Sequence, residues 1–385
     1  MKTKLAVFCL PVFAGCGGVV DLGPVEQDAP AVEFEQTLVQ FAPWSRGMCG
    51  LFSDESIRCW RNNQHDARAL PNLTGVAINV GDQYPSRLCA VQRSGRVACA
   101  LDNCGHRYAD DDDPNGCGFG YSEPYELYGL EGALRVTKEP PGLALLADGR
   151  IQYFYEPFRS CAESTWEDPY CRQVAEPFEA DEPIVDAFGL GDFVTASGAA
   201  YSTTIHHKPA VIERVIVPND FRVHDFPPLR VPGVDDALQI KGDYVLHRSG
   251  AITAFAWVDC RGPGSHVAAE GSARVECLDD AVALESNGQG TCAIRTDGSL
   301  WCWGTSIVGE LGVIEKVPNA NPPFYADYTA VVDAPYRIPD VENVRAVAIG
   351  HGYTCAVRGR NEVSCWGAHG MSKEPSTTPR PIRFQ

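Results

Sequence analysis

The chain has 385 residues, 44% of them apolar, and a formal net charge of −18. That length supports a substantial core, and the acidity repels phosphate backbones, so no nucleic-acid partner is expected. Past the first fifteen residues no apolar run reaches the length of a membrane span, which excludes a helical membrane protein.

In chain order, Met1-Lys2-Thr3-Lys4 and the apolar stretch from Leu5 to Gly15 have the layout of an export leader, residues 1–15. Phe13-Ala14-Gly15-Cys16 resembles a bacterial lipobox, with Phe13 where leucine is usual. The resemblance implies cleavage before Cys16, a lipid on its thiol, and, with Gly17 in place of aspartate, sorting to the outer membrane of the cell envelope. Lys2 and Lys4 leave with the leader, so the mature form is more acidic still. Residues 16–35 are rich in Gly, Val, Pro and acids and read as a flexible tether. Residues 36–385 then form one folded domain.

Within that domain four stretches read cysteine, nine residues, cysteine: Cys49–Cys59, Cys89–Cys99, Cys292–Cys302 and Cys355–Cys365. If the two cysteines of a unit oppose each other on antiparallel strands, the chain must turn midway, around Thr296-Asp297-Gly298 in the clearest copy. A three-residue hairpin loop ends in a left-handed residue, and glycine takes that conformation at least cost. Gly298 and Gly95 stand there; Asn361 and Glu55 hold the place in the other two units. Directly opposed residues in a non-hydrogen-bonded pair are close enough for a disulfide. A tetrahedral zinc site would want two to four residues between its cysteines, so zinc is rejected.

The turn position serves as a ruler. Between 95 and 298 three more copies fit, at Gly149, Gly198 and Gly250. Leu143/Tyr153 and Tyr244/Ala254 occupy the cysteine places in the first and third, where apolar side chains fill the space of a disulfide. The Gly198 copy, read from Phe193 to Tyr201, looks one residue short. A second pattern, Leu70-Pro71, Val231-Pro232 and Ile338-Pro339, precedes short apolar runs and is read as proline opening a strand. Seven units of about 50 residues, with short strands and no long helical period, predict an all-β, seven-bladed β-propeller. The tail from Pro375 to Phe384 looks like the outer start of a repeat, and Val32-Glu33-Phe34 onward is expected to complete it and close the ring.

The 16 cysteines fit export. Cys9 leaves with the leader and Cys16 takes lipid. Besides the four spaced pairs, proximity in sequence matches Cys104 with Cys117, Cys161 with Cys171 and Cys260 with Cys277, although spacing alone does not fix connectivity. A full set of pairs suits an oxidising compartment.

The stretch Thr291-Cys292-Ala293-Ile294-Arg295-Thr296-Asp297-Gly298-Ser299-Leu300-Trp301-Cys302-Trp303-Gly304, continuing through Ser306 to Gly309-Glu310-Leu311-Gly312, resembles the repeat of the regulator-of-chromosome-condensation family. Tyr353-Thr354-Cys355-Ala356-Val357 with Ser364-Cys365-Trp366-Gly367 is a second match. The resemblance implies a seven-bladed propeller, and its cysteines are similar to repeats of secreted bacterial proteins. Where the family often has histidine, two before the first cysteine, this chain has Gly290 and Tyr353. Where the family has Asn and Gln after the tryptophan, it has Ser306 and Glu310. The founder's nucleotide-exchange activity on a nuclear GTPase does not transfer to an acidic exported chain.

Few residues suggest chemistry. Asp110–Asp113 sit between Cys104 and Cys117 but lack the alternating spacing of a calcium loop. His206-His207-Lys208 has no further ligand at metal spacing. Trp60, Trp303 and Trp366 follow the second cysteine of their units and read as blade packing, whereas Trp44 and Trp166 lie off the periodic sites. No nucleophile elbow, phosphate loop or zinc-protease helix occurs. The expectation is a monomeric, surface-anchored protein-binding scaffold with no cofactor, no metal and no catalytic residues. It would bind a protein partner through irregular segments around 101–125, 155–180, 200–225 and 313–334. The alternatives are a propeller hydrolase or lyase acting on envelope polysaccharide and, by family analogy, a secreted inhibitor of β-lactamase type.

Overall fold

The computed structural model describes residues 15–16, 19–21, 36–44, 47–61, 66–81, 87–101, 123–137, 142–154, 178, 180–189, 191–202, 228–254, 273–275, 278–306, 308–314, 330–350, 352–359, 361–367 and 376–384. Every regular element among them is a β-strand. Seven antiparallel blades follow one another, each begun by an inner strand: Leu38–Trp44, Ala77–Gly81, Ala133–Val136, Ile184–Phe188, Ala237–Lys241, Ala281–Ser286 and Val344–Ile349. From there each blade runs outward in sequence order, and in the third blade an Ile151–Phe178 bridge stands where the others have a fourth strand.

The cysteine register is the expected one. Cys49 lies opposite Cys59, Cys89 opposite Cys99, Cys292 opposite Cys302 and Cys355 opposite Cys365. All four pairs are disulfides, with Cα atoms 4.0–4.1 Å apart. Side chains alternate across a strand, so each disulfide faces one neighbouring blade and the tryptophan beside it faces the other. Cys292 and Cys302 pack with Val344, Val347 and Ile349 of the seventh blade, whereas Trp303 packs with Leu246 and Ile252 of the fifth. Trp60 packs with Ala346 and Val363 of the seventh blade, and Trp366 with Leu300 of the sixth. The core is therefore a series of clusters, one between each pair of adjacent blades.

The turn position has a further role. Glu55, Gly95, Gly149, Gly198, Gly250 and Gly298 all take positive φ. The carbonyl of each accepts an N–H from the start of the next blade: Gly75 to Glu55 (3.2 Å), Ala133 to Gly95 (2.9 Å), Ile184 to Gly149 (2.8 Å), Ala237 to Gly198 (2.9 Å), Ala281 to Gly250 (2.9 Å) and Val344 to Gly298 (2.9 Å). At the seventh interface Gly359 is left-handed, and the Asn361 side chain makes the link instead. Its Oδ1 accepts from the Leu38 amide at 2.9 Å and its Nδ2 donates to the Gln36 carbonyl at 3.1 Å.

The Gly198 hairpin is not short. Its turn sits six residues after Asp192 and four before Ser202, the offsets of every other unit. Asp192 and Ser202 thus hold the cysteine places, and the Ser202 hydroxyl donates to the buried Asp192 carboxylate at 2.8 Å. The prolines also differ from expectation. Pro71 lies within the outer strand Asp66–Thr74, and Pro232 and Pro339 follow outer strands, so they mark the crossing to the next blade rather than a strand start.

The ring closes between two complete blades. Ser376–Phe384 is the outer strand of the seventh blade, and Arg383 and Phe384 pair in parallel with Asp66 and Ala67 of the first. Val32–Phe34, expected to complete a repeat, lie outside the described residues.

A Cβ at Gly298 would sit 2.9 Å from the Asn343 Cα, whereas at Gly288, also at positive φ, it would meet nothing within 4 Å. Gly288→Ala should therefore show only the backbone cost, about 1 kcal/mol. Gly298→Ala adds a clash at the blade interface and should lose clearly more, about 2–4 kcal/mol. Urea titration of both variants checks the order.

Candidate functional site

In a four-stranded antiparallel blade the first-to-second and third-to-fourth connections leave at one face, and the others leave at the opposite face. The second face carries the clasped turns just described. The first carries every long insertion: 102–122, 155–177, 203–227, 255–272 and 315–329 all lie on third-to-fourth connections, in blades two to six. The segments expected to bind, 101–125, 155–180, 200–225 and 313–334, each overlap one of these five, although they also take in flanking residues such as the strand Ala200–Ser202. The segment 255–272 was not picked out, because only the strand order reveals its position. The pairs Cys104/Cys117, Cys161/Cys171 and Cys260/Cys277, Asp110–Asp113, His206-His207-Lys208 and Trp166 all lie outside the described residues.

Inside the ring the inner strands pack against one another and carry polar clasps. The Gln40 side chain accepts from the Ile78 amide at 3.0 Å, and Gln239 from the Leu284 amide at 3.1 Å. Asn79 donates to the Val136 carbonyl at 2.7 Å, and Asn287 to the Gly350 carbonyl at 2.9 Å. Arg135 binds the Val185 carbonyl at 2.6 Å and pairs with Asp186 at 3.3 Å, while Asp186 accepts from the Ile240 amide at 3.1 Å. Lys241 and Glu285, both buried, stand 3.9 Å apart, and the Lys241 Nζ lies 5.3 Å from the centre of the Phe188 ring. The inner-strand carboxylates Asp186 and Glu285 thus each face a cation from a neighbouring blade and form parts of the frame. Sequence reasoning missed them, because a polar residue in a short apolar run reads as its solvent side. Among the described residues no cluster of His, Cys, Asp or Glu has metal-site geometry, and no helix is long and apolar enough to cross a membrane.

Cys16 ends a two-residue strand, Gly15–Cys16, paired with Val19–Asp21. The latter pairs in turn with the inner edge of the first blade, Val20 opposite Phe41 and Asp21 opposite Gln40. This ribbon lies within the ring, against inner strands of the fourth, fifth and sixth blades.

The two departures from the repeat pattern prove to be coupled. Glu310, buried, accepts from the Val308 amide at 2.8 Å and from Ser306 at 3.3 Å, and its own carbonyl accepts from the Trp366 indole at 3.0 Å. Gly290 leaves the space that Leu311 fills: a Cβ there would lie 2.7 Å from the Leu311 Cδ2.

No protein-family model matches the chain. Over 96 residues it is 29% identical to the ultraviolet-B receptor UVR8 of Arabidopsis thaliana, covering 24% of this chain and 19% of that protein. The chain therefore matches about a fifth of the length of that curated relative. Among solved structures it is similar to yeast RCC1 (Prp20) bound to Kap60, with a TM-score of 0.54, 17% identity, and 83% of this chain and 78% of that one covered. Prp20p of Saccharomyces cerevisiae, in a structure described with its binding to Gsp1p and histones, gives 0.54, 17%, 83% and 80%. Human WBSCR16 gives 0.53, 15%, 83% and 85%. At these identities the likeness is one of fold.

Two predictions follow from the ring. Lys241→Met leaves Glu285 buried without its cation and should cost about 3–5 kcal/mol, much of which the double change with Glu285→Met should restore; a denaturation double-mutant cycle reads both. Burial pushes the Tyr244 hydroxyl up to about 12 from 10.0. Its protonated form is favoured in the fold, so this contribution is complete below pH 10 and is lost as pH rises toward 12. Tyr244→Phe should remove that part of the alkaline decline in melting temperature.

Proposed function

We propose that this RCC1-type seven-bladed propeller is an exported, lipid-anchored scaffold that binds a protein partner through its insertion-bearing face. One observation carries the reading: every long insertion is rooted on one face, while the opposite face is tied turn by turn to the next blade. A rigid frame that displays variable segments together on one side is the arrangement of a binding surface. The four cross-strand disulfides support an oxidising compartment. The insertions are also rich in the residues that anchor interfaces. Trp166, Tyr170, Phe221, Trp257, Phe324 and Tyr325 fall within them. That solved propellers of this fold include one bound to a protein, Kap60, accords with the same use.

The anchor is Cys16, within the leader pattern. An acylated Cys16 must lie at a bilayer, so in the anchored form the Gly15–Asp21 ribbon is out of the ring and residues 16–35 serve as a tether.

Intact mass of membrane-extracted protein tests the anchor. The expected product begins at Cys16 with lipid, and its remaining thiols appear only after reduction; an unprocessed N-terminus would refute export. For binding, all five insertions, 102–122, 155–177, 203–227, 255–272 and 315–329, are replaced with Gly/Ser linkers, with Cys277→Ser where Cys260 is removed. Capture of a partner identified with the native chain should then be lost while the melting temperature is kept, and unchanged capture would sink the assignment.

A further inference from the structure

The face opposite the insertions carries a repeated feature of its own. Six of the seven inner strands are bulged near their start. The pairing slips between Leu38 and Gln40, Ala133 and Arg135, Ile184 and Asp186, Ala237 and Gln239, Ala281 and Ala283, and Val344 and Ala346. The skipped residues are Val39, Leu134, Val185, Leu238, Val282 and Arg345, five of them apolar. Val76 takes the same place in the second blade, just before Ala77. A bulged residue has no cross-strand partner and is left out of the ladder. The residues before each skip are buried, yet Leu134 is 52% exposed, Val185 41%, Val282 38% and Val76 41%. Single exposed valines are ordinary, but here they recur at one structural position on strands that form a ring. Val39, Leu238 and Arg345 are half-buried, so the exposed apolar set lies at the channel mouth on the clasped face in blades two, three, four and six. The described ribbon at Gly15–Asp21 reaches only as far as Gln40, one residue inside that level.

Acids stand next to this apolar ring. The two residues before the inner strand, or just before its leading proline, are Asp181-Glu182, Asp235-Asp236 and Asp279-Asp280 in three successive blades. Arginines neutralise part of this rim: Arg230 pairs with Asp235, and Arg295 with Asp280. His247 also meets Asp236. Hydrogen bonds from Ser197 hold Glu182 below its ordinary value, and the Arg295 guanidinium does the same for Asp280, so both are ionised at neutral pH.

We propose that this mouth docks a protein segment that presents apolar side chains between lysines or arginines. The apolar ring supplies desolvation and the acidic rim selects the flanks. An anionic lipid surface meets the rim with the wrong sign, and so does a second copy of the same face.

The test uses the full chain and two synthetic peptides with the same leucine- and tryptophan-rich centre, one flanked by lysines and one by glutamates, with affinity read by calorimetry. The lysine peptide should bind, the glutamate peptide should not, and raising salt should weaken binding. Leu134→Ser with Val185→Ser and Val282→Ser should weaken it about tenfold or more, equivalent to about 1.4 kcal/mol. These side chains are exposed, so the melting temperature should hold. A second variant, Asp181→Asn with Asp235→Asn and Asp279→Asn, should weaken binding with the apolar ring intact, and it decides the matter if the first fails to fold. Equal binding of both peptides, unchanged affinity in the variants, or no binding of the lysine peptide would overturn the proposal. So would phosphatidylcholine or phosphatidylglycerol vesicles being retained in preference to the peptide, or self-association that the serine variant abolishes. The site lies on the face away from the insertions, so its failure leaves the scaffold reading untouched.

Discussion

The fold depends on one repeated hydrogen bond, from the first inner-strand region of a blade to the turn of the blade before it. A propeller blade is a short twisted sheet that cannot bury both faces alone, so its stability lies in its neighbours. Apolar packing between blades is non-directional and would tolerate sliding. The turn carbonyl fixes the register, because it accepts from one amide only. In six of the seven blades it can reach that amide because the turn residue is left-handed and, in five of those, has no side chain. At Gly95, Gly149, Gly198, Gly250 and Gly298 an added Cβ would lie 2.6–2.9 Å from atoms of the next blade. Where the first blade has Glu55 instead, the next blade answers with Gly75. Where the seventh has Asn361, the side-chain carbonyl stands in for the main-chain one, and this substitution closes the ring.

The same constraint explains which parts of the fold are legible in the sequence. The turn glycine recurs at a fixed offset because it is required twice, for φ and for approach, and so the ruler found all seven blades. The cysteine units were legible because opposed residues and a three-residue loop leave little freedom. The fourth blade was misread by one residue. Its cross-strand pair is Asp192 and Ser202, and a buried polar pair in the place of a disulfide has no apolar signature. The inner-strand clasps were hidden for a related reason. Gln40, Asp186 and Gln239 sit just past a bulge, and a bulge breaks the alternation by which a buried position is recognised. The exposed valines of the channel mouth are the other half of the same slip: by alternation they read as core.

Two polar solutions share the ring without sharing chemistry. Gln40, Asn79, Gln239 and Asn287 bridge blades as neutral groups, at modest desolvation cost. Arg135–Asp186 and Lys241–Glu285 bridge them as ions, which is costly unless every contact is met. The charged bridges fall in blades three to six, where only one of the four cross-strand cysteine places is a disulfide within the described residues. A buried ion pair adds little net stability but penalises misassembly strongly, since a displaced neighbour strands a charge.

The clasp also decides where the chain is free to vary. Lengthening the second-to-third turn would move its carbonyl away from the next blade, and lengthening the crossing between blades would move the amide. Both lie on one face, so that face is held to short connections throughout. The third-to-fourth connection takes part in neither, and the five long insertions occur there. One face is consequently uniform in its connections, with an exposed apolar residue at the same position in four blades and a pair of acids before the inner strand in three. The other is individual, with a different length and composition in each blade. A uniform face suits a partner that meets the ring as a whole, along its axis. An individual face suits one that is recognised by particular segments. The division follows from hydrogen-bond geometry alone, before any partner is considered.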